Sequence, residues 1–145
     1  MAAVRKFLTC LLAAALCLGL LLPTTASAAS IYFTAVNETV AVLNAETMPV
    51  YSGGVMYVPY TVFDGSTTGI DLGLYTSYSR SSSTVTLFNL REMLVFDLSA
   101  GTCRNDMTGE YYSARAIVRN NRPYVPVEMV CDFFGLTYTL NRLSY

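Results

Sequence analysis

The sequence predicts an α+β fold: antiparallel β-hairpins with short helices, arranged as two related β-hairpin–helix–strand repeats that share one core, the second truncated. Three observations predict it. First, a block occurs twice at a constant offset of 67 residues, as Gly53-Gly54-Val55-Met56-Tyr57-Val58-Pro59-Tyr60 and as Asn120-Asn121-Arg122-Pro123-Tyr124-Val125-Pro126-Val127. Such a repeat means one supersecondary unit used twice. Second, both copies place residues that tolerate positive φ, Gly-Gly and Asn-Asn, where a hairpin must reverse. Third, Val127, Val130, Cys131 and Phe134 recur at the spacing of one helical stripe.

The elements follow in chain order. Residues 1–28 form a secretory leader: Arg5 and Lys6 begin it, 7–22 is an uncharged apolar run, Pro23 breaks it, and Ala26-Ser27-Ala28 suits signal peptidase. Cleavage is expected after Ala28. The competing reading is an uncleaved anchor, but the apolar run is shorter than the roughly 20 residues a spanning helix needs. Cys10 and Cys17 lack the preceding small residue of a lipoprotein site. Residues 29–145 then make one domain, with repeats at about 47–89 and 112–145.

Within that domain, 31–43 is rich in β-branched residues and reads as a strand or a hairpin around Asn37-Glu38. Residues 48–51 and 55–58 are the arms of the first repeated hairpin; 114–118 and 122–125 are the arms of the second. Val-Pro follows each, which favours extended backbone before Pro and a helix with Pro at its first position. The second helix is closed by Gly135 and carries Glu128 in its first turn. The first is cut short by Asp64-Gly65. Residues 74–78 and 84–89 make another hairpin across a serine-rich loop, and 93–98 a further strand. The stretch 101–110 is polar and reads as turn. Residues 135–140 match the start of the strand at 74. The strand at 84–87 has no counterpart before Tyr145, by nature or because the sequence is cut short. The helical stripe should face the sheet, so Phe134→Ala is expected to cost roughly 3–5 kcal/mol.

Composition narrows function. Without the leader the chain holds seven Arg, ten carboxylates, no Lys and no His. That excess of acid disfavours nucleic acid and anionic membrane surfaces, which need clustered cations. Arg115, Arg119 and Arg122 read as a solvated strand face, since they alternate with apolar residues. Lacking His, the domain has no Ser-His-Asp or Cys-His catalytic system, and two Cys alone do not complete a zinc site. No phosphate loop or calcium loop is present. Asp64 and Asp71, and the group Asp97, Asp106 and Glu110, are the available carboxylates. A pair of them at suitable separation would serve glycoside hydrolysis or weak calcium binding, but ordinary turn chemistry is the commoner use.

Cys103 and Cys131 remain after export. They form either a disulfide, adding roughly 3–4 kcal/mol on the chain-entropy model, or a free pair with Cys131 buried in the helix. Among the eleven Tyr, Tyr75, Tyr78, Tyr111 and Tyr112 are the candidates for rings on which a sugar or partner chain stacks. Cross-strand packing is the alternative use.

The succession of hairpin, Tyr-Val-Pro, short helix closing at Phe134-Gly135-Leu136 and following strand, behind an export signal, resembles the copper amine oxidase N-terminal-like domain, or stalk domain, of secreted Gram-positive bacterial proteins. Asn121-Arg122-Pro123-Tyr124-Val125-Pro126-Val127 carries its motif in the second copy, and Gly53-Gly54-Val55-Met56-Tyr57-Val58-Pro59 in the first. Asn121 replaces the turn Gly, and Glu128 stands where Arg is frequent. The resemblance implies a non-catalytic appendage that accompanies other modules, and it implies no copper. Nor is there an Asn-Tyr-Asp/Glu segment for the quinone cofactor of such oxidases. The expectation is a secreted or cell-surface, non-enzymatic structural or interaction module. It needs no cofactor, and its partner is a cell-wall polymer or another envelope protein, with no membrane contact after leader cleavage. The alternative is a glycan-binding module that uses exposed Tyr; a carboxylate hydrolase is the third.

Overall fold

Three tight reversals are built from pairs of consecutive residues at positive φ, and they set much of the strand pattern. The structure, a computed structural model, describes residues 30–141. The expected leader, residues 1–28, and its expected cleavage site after Ala28 lie outside the described residues. Among the described residues, no helix is long and apolar enough to cross a membrane. The strands and helices all fall within the compact unit Tyr32–Tyr145. Among the described residues that unit is mostly antiparallel β-sheet with one α-helix, α+β in class, as the hairpin signals predict.

β1 (Ala35–Val36) and β2 (Thr39–Val40) close on Asn37 and Glu38, at φ 45° and 68°. β3 (Val50–Ser52) and β4 (Val55–Pro59) close on Gly53 and Gly54, at φ 57° and 82°. β10 (Ile117–Arg119) and β11 (Arg122–Pro126) close on Asn120 and Asn121, at φ 50° and 58°. Two successive positive-φ residues give a turn whose twist matches that of the flanking strands, which is why these residue types reverse the chain. β5 (Tyr75–Ser79), β6 (Thr84–Phe88), β7 (Met93–Asp97), β8 (Thr102–Asn105) and β9 (Tyr111–Tyr112) follow one another as a five-stranded meander in that order.

The other large sheet has four strands in the order β10-β11-β4-β3. Its centre is the pairing of the repeated segments with each other: Pro59 lies opposite Tyr124, Val58 opposite Val125, and Tyr57 opposite Pro126. The flanking hairpins keep corresponding registers, Val50 opposite Tyr57 in one and Ile117 opposite Tyr124 in the other. Residues 67 apart therefore occupy matching places about the Val58–Val125 pair.

Both prolines end strands instead of starting helices. Pro59 (ψ 139°) and Pro126 (ψ 113°) are extended caps, and the helices begin one residue later. The cross-strand partners Tyr124 and Tyr57 hold each proline in the ladder, and a local preference for the first helical position yields to that pairing. A 3-10 turn, Tyr60–Val62, follows β4, and α1 (Val127–Phe134) follows β11. Gly135 ends α1 in the left-handed conformation, and the Leu136 N–H reaches back to the Cys131 carbonyl at 2.8 Å.

Val127, Val130 and Cys131 of the α1 stripe are buried, as their spacing predicts. Phe134 departs from that expectation. It is half-buried at the edge of the core, edge-on to Phe133 with ring centroids 4.8 Å apart. Its truncation should therefore cost less than a full core deletion. The core joins Met56, Val58 and Val125 of the four-stranded sheet and the α1 stripe to Val85, Leu87, Leu94, Phe96 and Cys103 of the meander. These meander residues alternate along their strands, so one face is apolar and packed.

Two further expectations change. Residues 102–105, read as turn, are strand β8, because the β7 ladder supplies partners at Thr102, Cys103, Arg104 and Asn105. Residues 135–140, read as the start of a strand, carry none: Gly135 caps α1, and no neighbouring ladder pairs with 136–140 among the described residues. Both cysteines are buried free thiols in the structure, Cys103 in β8 and Cys131 in α1, and the disulfide reading is not what it contains.

Candidate functional site

Strand alternation decides what each candidate tyrosine can do. Tyr111 and Tyr112 are neighbours on β9 and so point to opposite faces. Tyr111 is 64% exposed. Tyr112 turns inward and meets Phe133 of α1 edge-on, ring centroids 5.8 Å apart, while its hydroxyl donates to Glu110 Oε2 at 3.3 Å. Burial pushes the Tyr112 phenol pKa up, and the nearby Glu110 carboxylate adds to that. Tyr75 and Tyr78, three apart on β5, also face opposite ways. Tyr75 is exposed but already stacks on Phe88 across the strands, at 5.6 Å. Tyr78 packs inward beside Tyr60, at 6.0 Å.

The four do not make one platform. β5 and β9 are the two edges of the meander, four strand spacings or about 19 Å apart. Tyr111 and Tyr112 instead share a broad open cleft of about 1270 Å³, bounded by the Gly53-Gly54 turn, β9 and the outward side of α1. Tyr57 and Pro126 line it, and Glu92, Glu128, Asp132 and Arg115 contribute its charge. Met129 and Phe133 complete an aromatic and apolar wall. Sequence reasoning missed this helix side. The signal was present: Met129 and Phe133 stand at i and i+4, off the core stripe, and two large apolar residues there imply a second packed surface. A smaller cavity of about 300 Å³ lies among residues 32–37, α1 and 136–140. Thr34 lines it, and its Oγ1 is buried without a hydrogen-bond partner among the described residues.

Three of the candidate carboxylates, Asp64, Asp71 and Asp97, are engaged in turns. Asp64 Oδ1 accepts from the Ser66 N–H at 2.8 Å, and its other oxygen accepts from the Thr76 hydroxyl. Asp71 accepts from the Gly73 N–H at 2.7 Å. Asp97 accepts from the N–H groups of Ala100 and Ser99, each at 2.9 Å, and from the Ser99 hydroxyl at 3.0 Å. The Ala100 bond foremost, then the Ser99 hydroxyl, holds its carboxyl below the usual range. Asp106 pairs with Arg104 Nε at 3.1 Å. The bonds that Asp64, Asp71 and Asp97 accept from nearby backbone N–H groups are the local ones that stabilise reversals. Among the described residues no group of three or more His, Cys, Asp or Glu is placed to hold a metal ion.

Neither thiol is a nucleophile at neutral pH. Burial pushes the Cys103 pKa up to about 12 and, with Asp132 adding repulsion, that of Cys131 to about 11, from an ordinary 9.0. The folded state thus holds these protons more tightly than the unfolded chain. Their contribution is constant below about pH 9 and is lost as pH climbs toward the folded values. Tyr124 and Tyr138, also raised chiefly by burial, act in the same direction. Urea midpoints should therefore fall on the alkaline side, with a shallower fall in Cys103→Ala. A Cys103→Ala slope identical to that of the unsubstituted chain would contradict the assignment. A thiol reagent should label neither cysteine until the chain unfolds.

No protein-family model, curated protein or solved structure matches the chain.

Proposed function

We propose that the chain is an exported, non-catalytic structural or interaction module of the cell envelope or extracellular space, built on the copper amine oxidase N-terminal-like plan. The observation that carries this reading is the antiparallel pairing of Tyr57-Val58-Pro59 with Tyr124-Val125-Pro126 at matching registers. It supports a pair of related hairpin–helix units sharing one core, the second shorter, as the resemblance implies. Engagement of Asp64, Asp71 and Asp97 in turns, the Asp106–Arg104 ion pair and the neutral thiols support a role without catalysis. Export is tested by expressing the full chain and determining the N-terminus of the secreted product, which should be Ala29. A product retaining Met1 in the membrane fraction would refute it.

A second reading, binding of a cell-wall or other glycan, is favoured by the cleft that Tyr111, Tyr112 and Phe133 line. Sugar rings stack on exposed aromatic faces while rim polar groups orient their hydroxyls. On this reading, binding to isolated cell-wall polymer should weaken by about tenfold in Tyr111→Ala, a loss near the upper end for one aromatic contact. Tyr75→Ala, at the far edge and already covered by Phe88, should bind as the unsubstituted chain does. Equal loss in both variants would rule out the cleft.

A further inference from the structure

Every strand edge leaves backbone N–H and C=O groups that need partners, so the free edges are where a sheet protein recruits another strand. The two larger sheets have four: β3, β10, β5 and β9. β9 has two residues, and β3 and β10 have three each. β10 ends on Arg119 and follows Arg115 closely, and facing copies of that edge would bring these cations near one another. β5 differs. It is five residues long, Tyr75-Thr76-Ser77-Tyr78-Ser79, with no charge, no Pro and no bulge in its pairing with β6. Among the described residues, no backbone hydrogen bond outside the β5–β6 ladder uses the main chain of Tyr75–Ser79. Within the strand itself neither charge, Pro nor bulge blocks the edge; the preceding loop reaches it only through the inward-facing Thr76, bonded to Asp64, and Tyr78, packed beside Tyr60.

We propose that β5 is the docking edge for a second copy of this chain, joined antiparallel about a two-fold axis at Ser77, so that two meanders become one continuous ten-stranded sheet. The strand is suited to itself. In that register Thr76 of each copy faces Tyr78 of the other, and Tyr75 faces Ser79. Tyr opposite Thr is a favourable cross-strand pair, and an isologous contact requires such self-complementarity. An edge carrying even one charge at its centre would meet the same charge across the axis. Ser77, exposed on the outer face of the sheet, carries none. Main-chain hydrogen bonds supply the attraction, as in other strand additions.

The test is sedimentation velocity of the purified protein from low micromolar to submillimolar concentration. The unsubstituted chain should dimerise with rising concentration. Ser77→Lys and Ser77→Glu leave the exposed outer face free of new buried atoms and should melt as the unsubstituted chain does. Each should self-associate at least about tenfold more weakly, because like charges then face each other. Mixed together, the two variants should restore the dimer. An unsubstituted chain that stays monomeric throughout, a Ser77→Lys variant that dimerises as tightly as its parent, or a mixture that stays monomeric would each overturn the proposal.

Discussion

Val125→Asp should prevent the chain from folding at neutral pH. Val125 is 0% exposed, lies opposite Val58 at the centre of the four-stranded sheet, and belongs to the core that also contains the α1 stripe. A carboxylate there would lose water without gaining an ion partner. The cost of several kcal/mol is of the same order as the whole stability of a small domain, about 5–15 kcal/mol. The damage would also fall where the two hairpins meet, so neither sheet half would have its partner. Near-UV circular dichroism and amide proton dispersion should both collapse. Val118→Asp is the matched control: Val118 sits on edge strand β10 and is 52% exposed, so its change should stay within about 0.5 kcal/mol. A folded Val125→Asp protein with native dispersion would mean that the two hairpins do not depend on a shared core.

Phe96→Ala should cost about 3–5 kcal/mol, measured by urea denaturation at pH 7. Phe96 is 0% exposed on β7, the middle strand of the meander, with Val85 and Cys103 opposite it on the two neighbouring strands. Its ring thus has neighbours on every side that cannot easily collapse into the space it leaves. Phe134→Ala makes the comparison informative. The two deletions are chemically alike, but Phe134 is half-buried and touches Phe133 at the end of a helix, where water can fill the gap. Phe96→Ala should be the more damaging by at least about 1 kcal/mol. Equal losses would mean that the α1 end, and not the meander, anchors the interior.

Much of the fold was legible because its signals are local. Asn37-Glu38, Gly53-Gly54 and Asn120-Asn121 occupy a backbone region that most residues avoid, and each pair marks a reversal wherever the rest of the chain goes. The Val127, Val130 and Cys131 stripe and its Gly135 stop are also properties of one segment. Candidate-site residues were legible only as types. Eleven tyrosines, all beyond residue 28, suggested surface rings, and Tyr75 and Tyr111 are exposed. Which rings share a surface was not written in any one segment.

Read along the chain, the residues alone settle where it turns, where one helix stops, and which chemistries the missing His excludes. Other features came into being with the assembled sheets. β4 lies against β11, Pro59 and Pro126 stay in the ladder, and residues 102–105 become a strand. Tyr111 and Tyr112 meet α1 or its cleft, while Tyr75 and Tyr78 stand at the opposite edge of the meander. The reason is the range of the forces involved. A turn or a helical stripe is fixed by dihedral preference and spacing within a few residues. A strand is completed by hydrogen bonds from partners far away in sequence, and the side of the sheet on which a ring finds its neighbours depends on those partners being in place.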